Sequence, residues 1–337
     1  MNARVLHIPS NTPTLEGAAP VMAQLELVER RLEAVVASQV QVASDMASRL
    51  FSAGGKRVRP TLVVLSALAA GGKADDSRMI DLAAAAELVH SASLIHDDVV
   101  DETHERRGAE TANHTWGNKL SVLGGDYLLS KAFLLLADVG NTEILKALSR
   151  TAVEMTESEM LQATSEGSIA AWEEHYWRII RGKTASFMGT CCECGAILAG
   201  ASAEVREALL EYGIELGLAF QITDDLLDVD GDPARTGKEI GADLTHGKFT
   251  LPVLLALGKL TGEARREFAT AVSRESMTLA EARSVAAMLV ECGAAEDARR
   301  TAAECVRTAR EQLAVLPDSE YRESLESLAS SITRRRA

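Results

Sequence analysis

Apolar residues recur at three- and four-residue intervals through most of this chain, and few Val, Ile or Thr residues alternate with polar ones as a half-buried strand requires. The spacing predicts helices over Val21 to Ser52, Pro60 to Ala70, Arg78 to Asp101, Leu120 to Val139, Glu143 to Glu166 and Trp172 to Ala199. It predicts further helices over Ala203 to Asp228, Leu251 to Leu260, Gly262 to Ser273, Leu279 to Cys292, Ala295 to Val315 and Ser319 to Arg334. Between them stand Gly54-Gly55, Gly71-Gly72, Gly140-Asn141 and Gly231-Asp232-Pro233, residues that end helices because they favour turns. Residues 1 to 20 are polar and hold Pro9, Pro13 and Pro20, three of the seven prolines, so they read as a flexible tail. The rest, 21 to 337, is nearly free of helix breakers, carries no Pro/Ser linker and no fixed-period repeat, and reads as one all-α domain.

Composition narrows the function classes. Hydrophobic residues at 47% and charged residues at 25% are ordinary for a globular protein, which excludes global disorder. The 35 basic residues against 49 acidic ones give a net charge of −14, which opposes broad nucleic-acid binding because phosphate backbones attract positive surface. Apolar runs such as Thr61 to Ala70 are cut short, so no membrane span is expected, and the amino terminus shows no export or import pattern; the expected location is the cytoplasm. Cys191, Cys192, Cys194, Cys292 and Cys305 complete no metal-ligand spacing and read as small buried thiols in a reducing compartment.

Two segments carry candidate chemistry: His96-Asp97-Asp98-Val99-Val100-Asp101 and Thr223-Asp224-Asp225-Leu226-Leu227-Asp228. In each, an i, i+4 pair puts two carboxylates on one helix face with a third beside them. Such clusters repel themselves, and at a helix C-terminus the macrodipole adds to the cost. A hard divalent cation relieves it. Mg²⁺ takes one or two carboxylates, keeps several waters and coordinates phosphates, so an acidic cluster with no Gly-centred twelve-residue loop suits Mg²⁺ better than a calcium hand. One such cluster is as easily solvated helix-end punctuation; two copies, both embedded in apolar helix, favour a site. Cations stand beside glycines and aspartates in Gly54-Gly55-Lys56-Arg57-Val58-Arg59-Pro60, Arg106-Arg107-Gly108, Lys183-Thr184, and Lys238 with Lys248, a pattern suited to anion pockets.

These residues resemble the trans-isoprenyl diphosphate synthases, or polyprenyl synthetases. The likeness runs from about residue 20 through GGKRVRP at 54 to 60, HDDVVDETHERRG at 96 to 108, GGDYLLSKAF at 124 to 133, GKTASF at 182 to 187, FQITDDLLDVDGD at 220 to 232 and GKEIGADLTHGKFTLP at 237 to 252. It implies an all-α isoprenoid-synthase bundle around a central cavity, with the aspartate motifs facing each other, and usually a homodimer. By position, Asp97, Asp98, Asp101, Asp224, Asp225 and Asp228 match the ligands of Mg²⁺ ions that hold an allylic diphosphate. Lys56, Arg59, His90 and Arg107 match the isopentenyl diphosphate pocket, and Arg106, Lys183, Lys238 and Lys248 match contacts to the allylic diphosphate. Thr184 and Gln221 match polar positions near the reacting carbons, and His96 reads as a helix-packing residue.

The implied reaction is attack of the isopentenyl alkene on the allylic carbon that loses diphosphate, with no Ser/His/Asp triad. A class I terpene cyclase is the nearest rival, but such enzymes typically lack the second DDxxD and the GGKxxRP segment. A catalytically silent partner subunit would be expected to lose an aspartate motif, and a metal-dependent phosphohydrolase would leave GGKRVRP unexplained. Product length turns on the residues about one turn before Asp97. Ala92 and Ser93 are small where short-chain members often carry aromatics, which implies a hexaprenyl-to-decaprenyl product for quinone side chains rather than farnesyl or geranylgeranyl. The tunnel floor is expected near Leu145 or Leu148. Arg334-Arg335-Arg336 is a candidate for transient contact with anionic lipid during product release.

Overall fold

In a computed structural model of the chain, the described residues are 15–52, 55–106, 109–231, 239–274 and 277–334. They fall into two compact units, one of Met1–Ala147, Cys191–Glu207 and Val315–Leu328, the other of Leu148–Thr190, Ala208–Ala314 and Ala329–Ala337. The expected all-α class holds: the only strands among the described residues are β1 (Glu105–Arg106) and β2 (Ala109–Glu110), an antiparallel pair pairing Arg106 with Ala109.

The first unit is built on α3 (Val58–Ala69) and α4 (Ser77–Val100). Every side chain from Pro60 to Ala69 is buried, and so is the alanine-rich stretch Leu82–Val89 of α4, a composition that favours helix and lets neighbours approach closely. The Asp76 carboxylate caps α4 by accepting from the Arg78 amide. Around this pair lie α1 (Met22–Val35), α2 (Gln41–Ser52), the short α5 (Ala112–Trp116) and α6 (Asn118–Val139), whose main packing is against α4. At that contact the His96 ring lies over Gly125, and a Cβ there would displace the ring. His96 also meets the Val122 carbonyl at 3.2 Å, which is the packing role expected of it.

Two expectations change here. The helix predicted over Val21 to Ser52 is interrupted between α1 and α2, where Ser38 Oγ accepts from the Val40 amide and Ser44 Oγ bonds both the amide and the carbonyl of Ser38. Such local side-chain bonds compete with the helical ladder. Second, α6 is long and apolar enough to cross a membrane by length and composition, with a mean hydropathy of 1.4 over 18 residues, so a segment of span length does exist. The last residues of the expected tail are also packed, with Leu15 and Ala18 buried, while residues 1–14, like Arg335 and Arg336, lie outside the described residues.

The second unit includes most of α7 (Thr142–Ser165), α8 (Ile169–Ile180) and most of α10 (Ala203–Asp230). Then follow α11 (Ala242–Thr245), α12 (Leu251–Lys259), α13 (Gly262–Val272), α14 (Leu279–Glu291) and α15 (Ala294–Gln312), with α12 and α14 packed on α15. A full capping box at Thr278 and Glu281 starts α14. Between α8 and α9 (Ser186–Leu198) the expected unbroken helix widens into a single π turn over Arg181–Ala185. The last helix among the described residues, α16 (Glu320–Ile332), belongs mostly to the first unit. Of the five cysteines four are buried and Cys292 is exposed, which departs from the reading of all five as core thiols.

Candidate active site

The two aspartate motifs occupy similar places at the C-terminal ends of long helices, the first in the last turn and cap of α4 and the second in the last two turns of α10. In α4, Asp98 is buried, Asp97 is half-buried and Asp101 is exposed at the cap, its amide donating to the Asp97 carbonyl at 2.8 Å. Asp98 is committed to protein partners: its Oδ1 accepts from Arg106 Nε at 2.7 Å, and its carbonyl accepts from the Thr103 amide and Asn113 Nδ2. Asn113 also bonds the Thr103 carbonyl, so the β1–β2 hairpin is tied to the end of α4. Burial pushes the Asp98 carboxyl above its ordinary value; Arg106 opposes that and Asp101 adds to it. Arg106, expected at the allylic diphosphate, is therefore paired with the first motif, and Arg107 lies outside the described residues.

In α10 the middle aspartate is again held by the protein, but Asp228 is buried as well and Asp224 is half-buried. Asp225 is buried and accepts from the Tyr176 hydroxyl at 2.6 Å and from Gln221 Nε2 at 3.1 Å. Gln221 Oε1 accepts in turn from the Thr184 hydroxyl at 3.0 Å. The predicted pair Thr184 and Gln221 is thus joined in one hydrogen-bonded chain that ends on the second motif. Burial, then the Asp243 charge, push the Asp225 carboxyl to about 7, with Asp224 adding to it and the two hydrogen bonds opposing. The Asp228 carboxylate receives the Asp243 amide at 3.3 Å, and its carbonyl receives the Gly241 amide at 2.8 Å. The Lys248 amide bonds the Asp243 carbonyl at 2.9 Å, so the segment carrying Lys248 is anchored on the motif. Lys238 lies outside the described residues.

The π turn sets Lys183 and Thr184. A Cβ on Gly182 would stand 1.9 Å from Ser158 Oγ, so α7 and this turn meet at glycine. An extra residue per turn at such a place re-aims the side chains that follow, a device frequent at functional sites. Lys183 Nζ reaches Glu159 at 2.7 Å and Gln162 at 3.3 Å, a carboxylate partner that the sequence did not announce.

In the first unit Lys56 is exposed and Arg59 half-buried at the start of α3, while His90 is half-buried on α4 with its carbonyl taken by the Ser93 hydroxyl at 2.9 Å. Ala92 is buried; of the expected floor residues Leu148 is buried and Leu145 exposed. Sequence reasoning missed Tyr176, Glu159, Asp243, Glu29 and Glu87. Only Glu87 carried a visible signal, a lone charge inside the apolar run Leu82–Val89, which needs a partner when buried.

The donor set fits a hard cation. It consists of carboxylate oxygens, and the second motif packs Asp225 beside Asp224 and Asp243 with the repulsion registered in its raised carboxyl. Among the described residues no three His, Cys, Asp or Glu side chains form a ready-made metal cage. Mg²⁺ does not require one, since it binds through one or two carboxylates with waters and phosphate oxygens.

The polyprenyl synthetase family model matches residues 40–289. The octaprenyl diphosphate synthase of Escherichia coli is 39% identical over 293 residues, 87% of this chain and 90% of that one. A short-chain isoprenyl diphosphate synthase of Methanothermobacter thermautotrophicus is 38% identical over 291 residues, 85% of this chain and 88% of that one. Among solved structures, a polyprenyl synthase from Caulobacter crescentus, complexed with calcium and isoprenyl diphosphate, superposes with a TM-score of 0.88 at 36% identity, covering 98% of this chain and 100% of that one.

Proposed function

Because the chain belongs to the polyprenyl synthetase family and is a prenyltransferase, we propose that it condenses isopentenyl diphosphate with an allylic diphosphate to give a long all-trans-polyprenyl diphosphate. The observation that carries this reading is the paired placement of DDxxD motifs at the ends of α4 and α10, each with its middle carboxylate held by protein and its outer pair one turn apart on the helix. Asp97, Asp101, Asp224 and Asp228 hold Mg²⁺ directly, while Asp98 and Asp225 brace the two motifs. Bound Mg²⁺ supplies the positive charge that makes diphosphate a competent leaving group. Arg106, Lys183, Lys238 and Lys248 bind the allylic diphosphate, with Lys183 exchanging Glu159 for the anion. Thr184 and Gln221 present their oxygens near the allylic carbon as positive charge develops there. Lys56, Arg59, His90 and Arg107 hold the second diphosphate so that its alkene meets that carbon, an ordering that removes much of the entropic barrier.

The buried methyl of Ala92 and the small Ser93 leave room for a growing chain, which favours hexaprenyl-to-decaprenyl products, and the Escherichia coli relative is an octaprenyl diphosphate synthase. The short-chain relative of nearly equal identity is the observation on the other side. We further propose a homodimer, supported by the exposed Leu120, Leu123, Phe133 and Leu134 of α6, with transient membrane contact for release of an insoluble product. Incubation with farnesyl and isopentenyl diphosphates and Mg²⁺, followed by mass analysis, should show chains beyond geranylgeranyl, and Ala92→Phe should shorten them. Asp97→Ala and Asp224→Ala should each lower turnover by about a hundredfold or more, the order expected on losing one electrostatic stabiliser of the transition state. Full activity of both aspartate variants would overturn the reaction; arrest at farnesyl or geranylgeranyl would overturn the long product.

A further inference from the structure

The segment joining α2 to α3 contains an arrangement that the reaction does not require. Arg57, between the two cations Lys56 and Arg59, is buried and adopts the left-handed conformation, φ 49° and ψ 40°, which residues with a Cβ adopt at a cost. Its guanidinium faces two carboxylates. Nε and Nη2 make a fork to Glu29 of α1 at 2.5 and 3.2 Å, and Nη1 reaches Glu87 of α4 at 2.8 Å. Glu87 is itself buried, one helical turn before His90. The Arg57 carbonyl accepts from the amide and the hydroxyl of Thr61, which fixes the first turn of α3. Burial alone would lower the Arg57 guanidinium's affinity for its proton, yet Glu87 and then Glu29 raise it, so the cation is locked in place.

The triad holds two negative charges against one positive. Its acidic surplus is gathered on the residue that stands between Lys56 and Arg59 in the chain. A carboxylate so placed competes with a diphosphate for the neighbouring cations unless something else occupies it. We propose that Arg57 is a positioning residue for the isopentenyl diphosphate pocket: by engaging Glu29 and Glu87 it keeps those carboxylates from capturing Lys56 and Arg59, and it fixes the backbone that carries both. The inference rests on the reading of Lys56 and Arg59 as ligands of that diphosphate.

Steady-state kinetics on Arg57→Gln, Arg57→Lys, Lys56→Ala and the double variant Arg57→Gln/Glu87→Gln test it, with circular dichroism and Tm recorded for each. Arg57→Gln should raise KM for isopentenyl diphosphate by about tenfold and leave KM for the allylic diphosphate within about twofold, since one anion's charge-assisted contacts are affected. Adding Glu87→Gln should recover a measurable part of that loss, at least about threefold, because one of the two competing carboxylates is gone and Glu29 alone remains. A residue that only stabilises the fold gives the opposite pattern: lower Tm, both KM values unchanged, and a double variant no better than the single one. That result overturns the proposal. If Arg57→Gln does not fold, Arg57→Lys, which keeps the charge but not the fork, should still raise the isopentenyl KM by about threefold; an unchanged KM there also overturns it. A raised isopentenyl KM in Lys56→Ala beside unaffected Arg57 variants rejects the positioning role alone, whereas no change in Lys56→Ala overturns the pocket reading and the proposal together.

Discussion

Each aspartate motif spends its middle residue on the protein, and the physical reason is visible in the hydrogen bonds. A buried carboxylate left without donors is costly, so Asp98 takes Arg106 and Asp225 takes Tyr176 and Gln221. For Asp225 the donors do not fully compensate, and its carboxyl stands at about 7 against an ordinary 3.8. The folded chain then binds a proton that the unfolded chain has released between those two values. Stability in metal-free buffer should therefore be highest below about pH 4 as far as this group is concerned and should fall as pH rises toward 7. Asp225→Asn should flatten that slope in denaturant titrations at a series of pH values; an identical slope in the variant would show that another group is responsible. The spacing of the carboxylates and their placement on one helix face were legible in the sequence because they depend only on helical geometry. The donors were not, since Tyr176 and Asp243 come from distant parts of the chain and nothing local to either marks it as a partner of Asp225.

At the scale of elements, the hydrophobic period located the long helices to within a residue or two: Arg78 to Asp101 is α4 at Ser77–Val100, and Leu279 to Cys292 is α14 at Leu279–Glu291. It passed over features that leave the period intact. The break at Ser38 arises from hydroxyl-to-backbone bonds, and the π turn at Arg181–Ala185 adds one residue without a proline. The β1–β2 hairpin is too short for any period to register. The π turn also identifies a position where a single methyl group matters. Gly182→Ala would drive a Cβ into Ser158, and overpacking of this kind costs about 1–3 kcal/mol. The variant should lose stability by that order in urea titration and also lose turnover, because Lys183 and Thr184 follow directly. Loss of stability with unaltered turnover would separate the turn from the chemistry.

For the molecule as a whole, α6 sets the expected assembly. Its inner face is packed through Gly125 and His96, yet Leu123 and Leu134 remain 54% and 61% exposed, apolar surface that a second copy would cover. Sedimentation should report a dimer, and Leu123→Glu with Leu134→Glu should shift it to monomer; a wild-type monomer would refute the assembly. A different consequence follows from where the motifs end. The outer carboxylates lie on the final turns of helices 24 and 28 residues long, at the pole where the peptide dipoles already accumulate negative charge. Those turns are therefore the places most prone to breathe in the ligand-free chain. Binding of cation and diphosphate should quiet them selectively, slowing amide hydrogen exchange at Val99 to Asp101 and at Val229 to Gly231 far more than in the middle of α4 or α10. Substrate capture and the ordering of these two helix ends would then be one equilibrium, in which the free energy of closing a frayed turn is part of the affinity for the substrate.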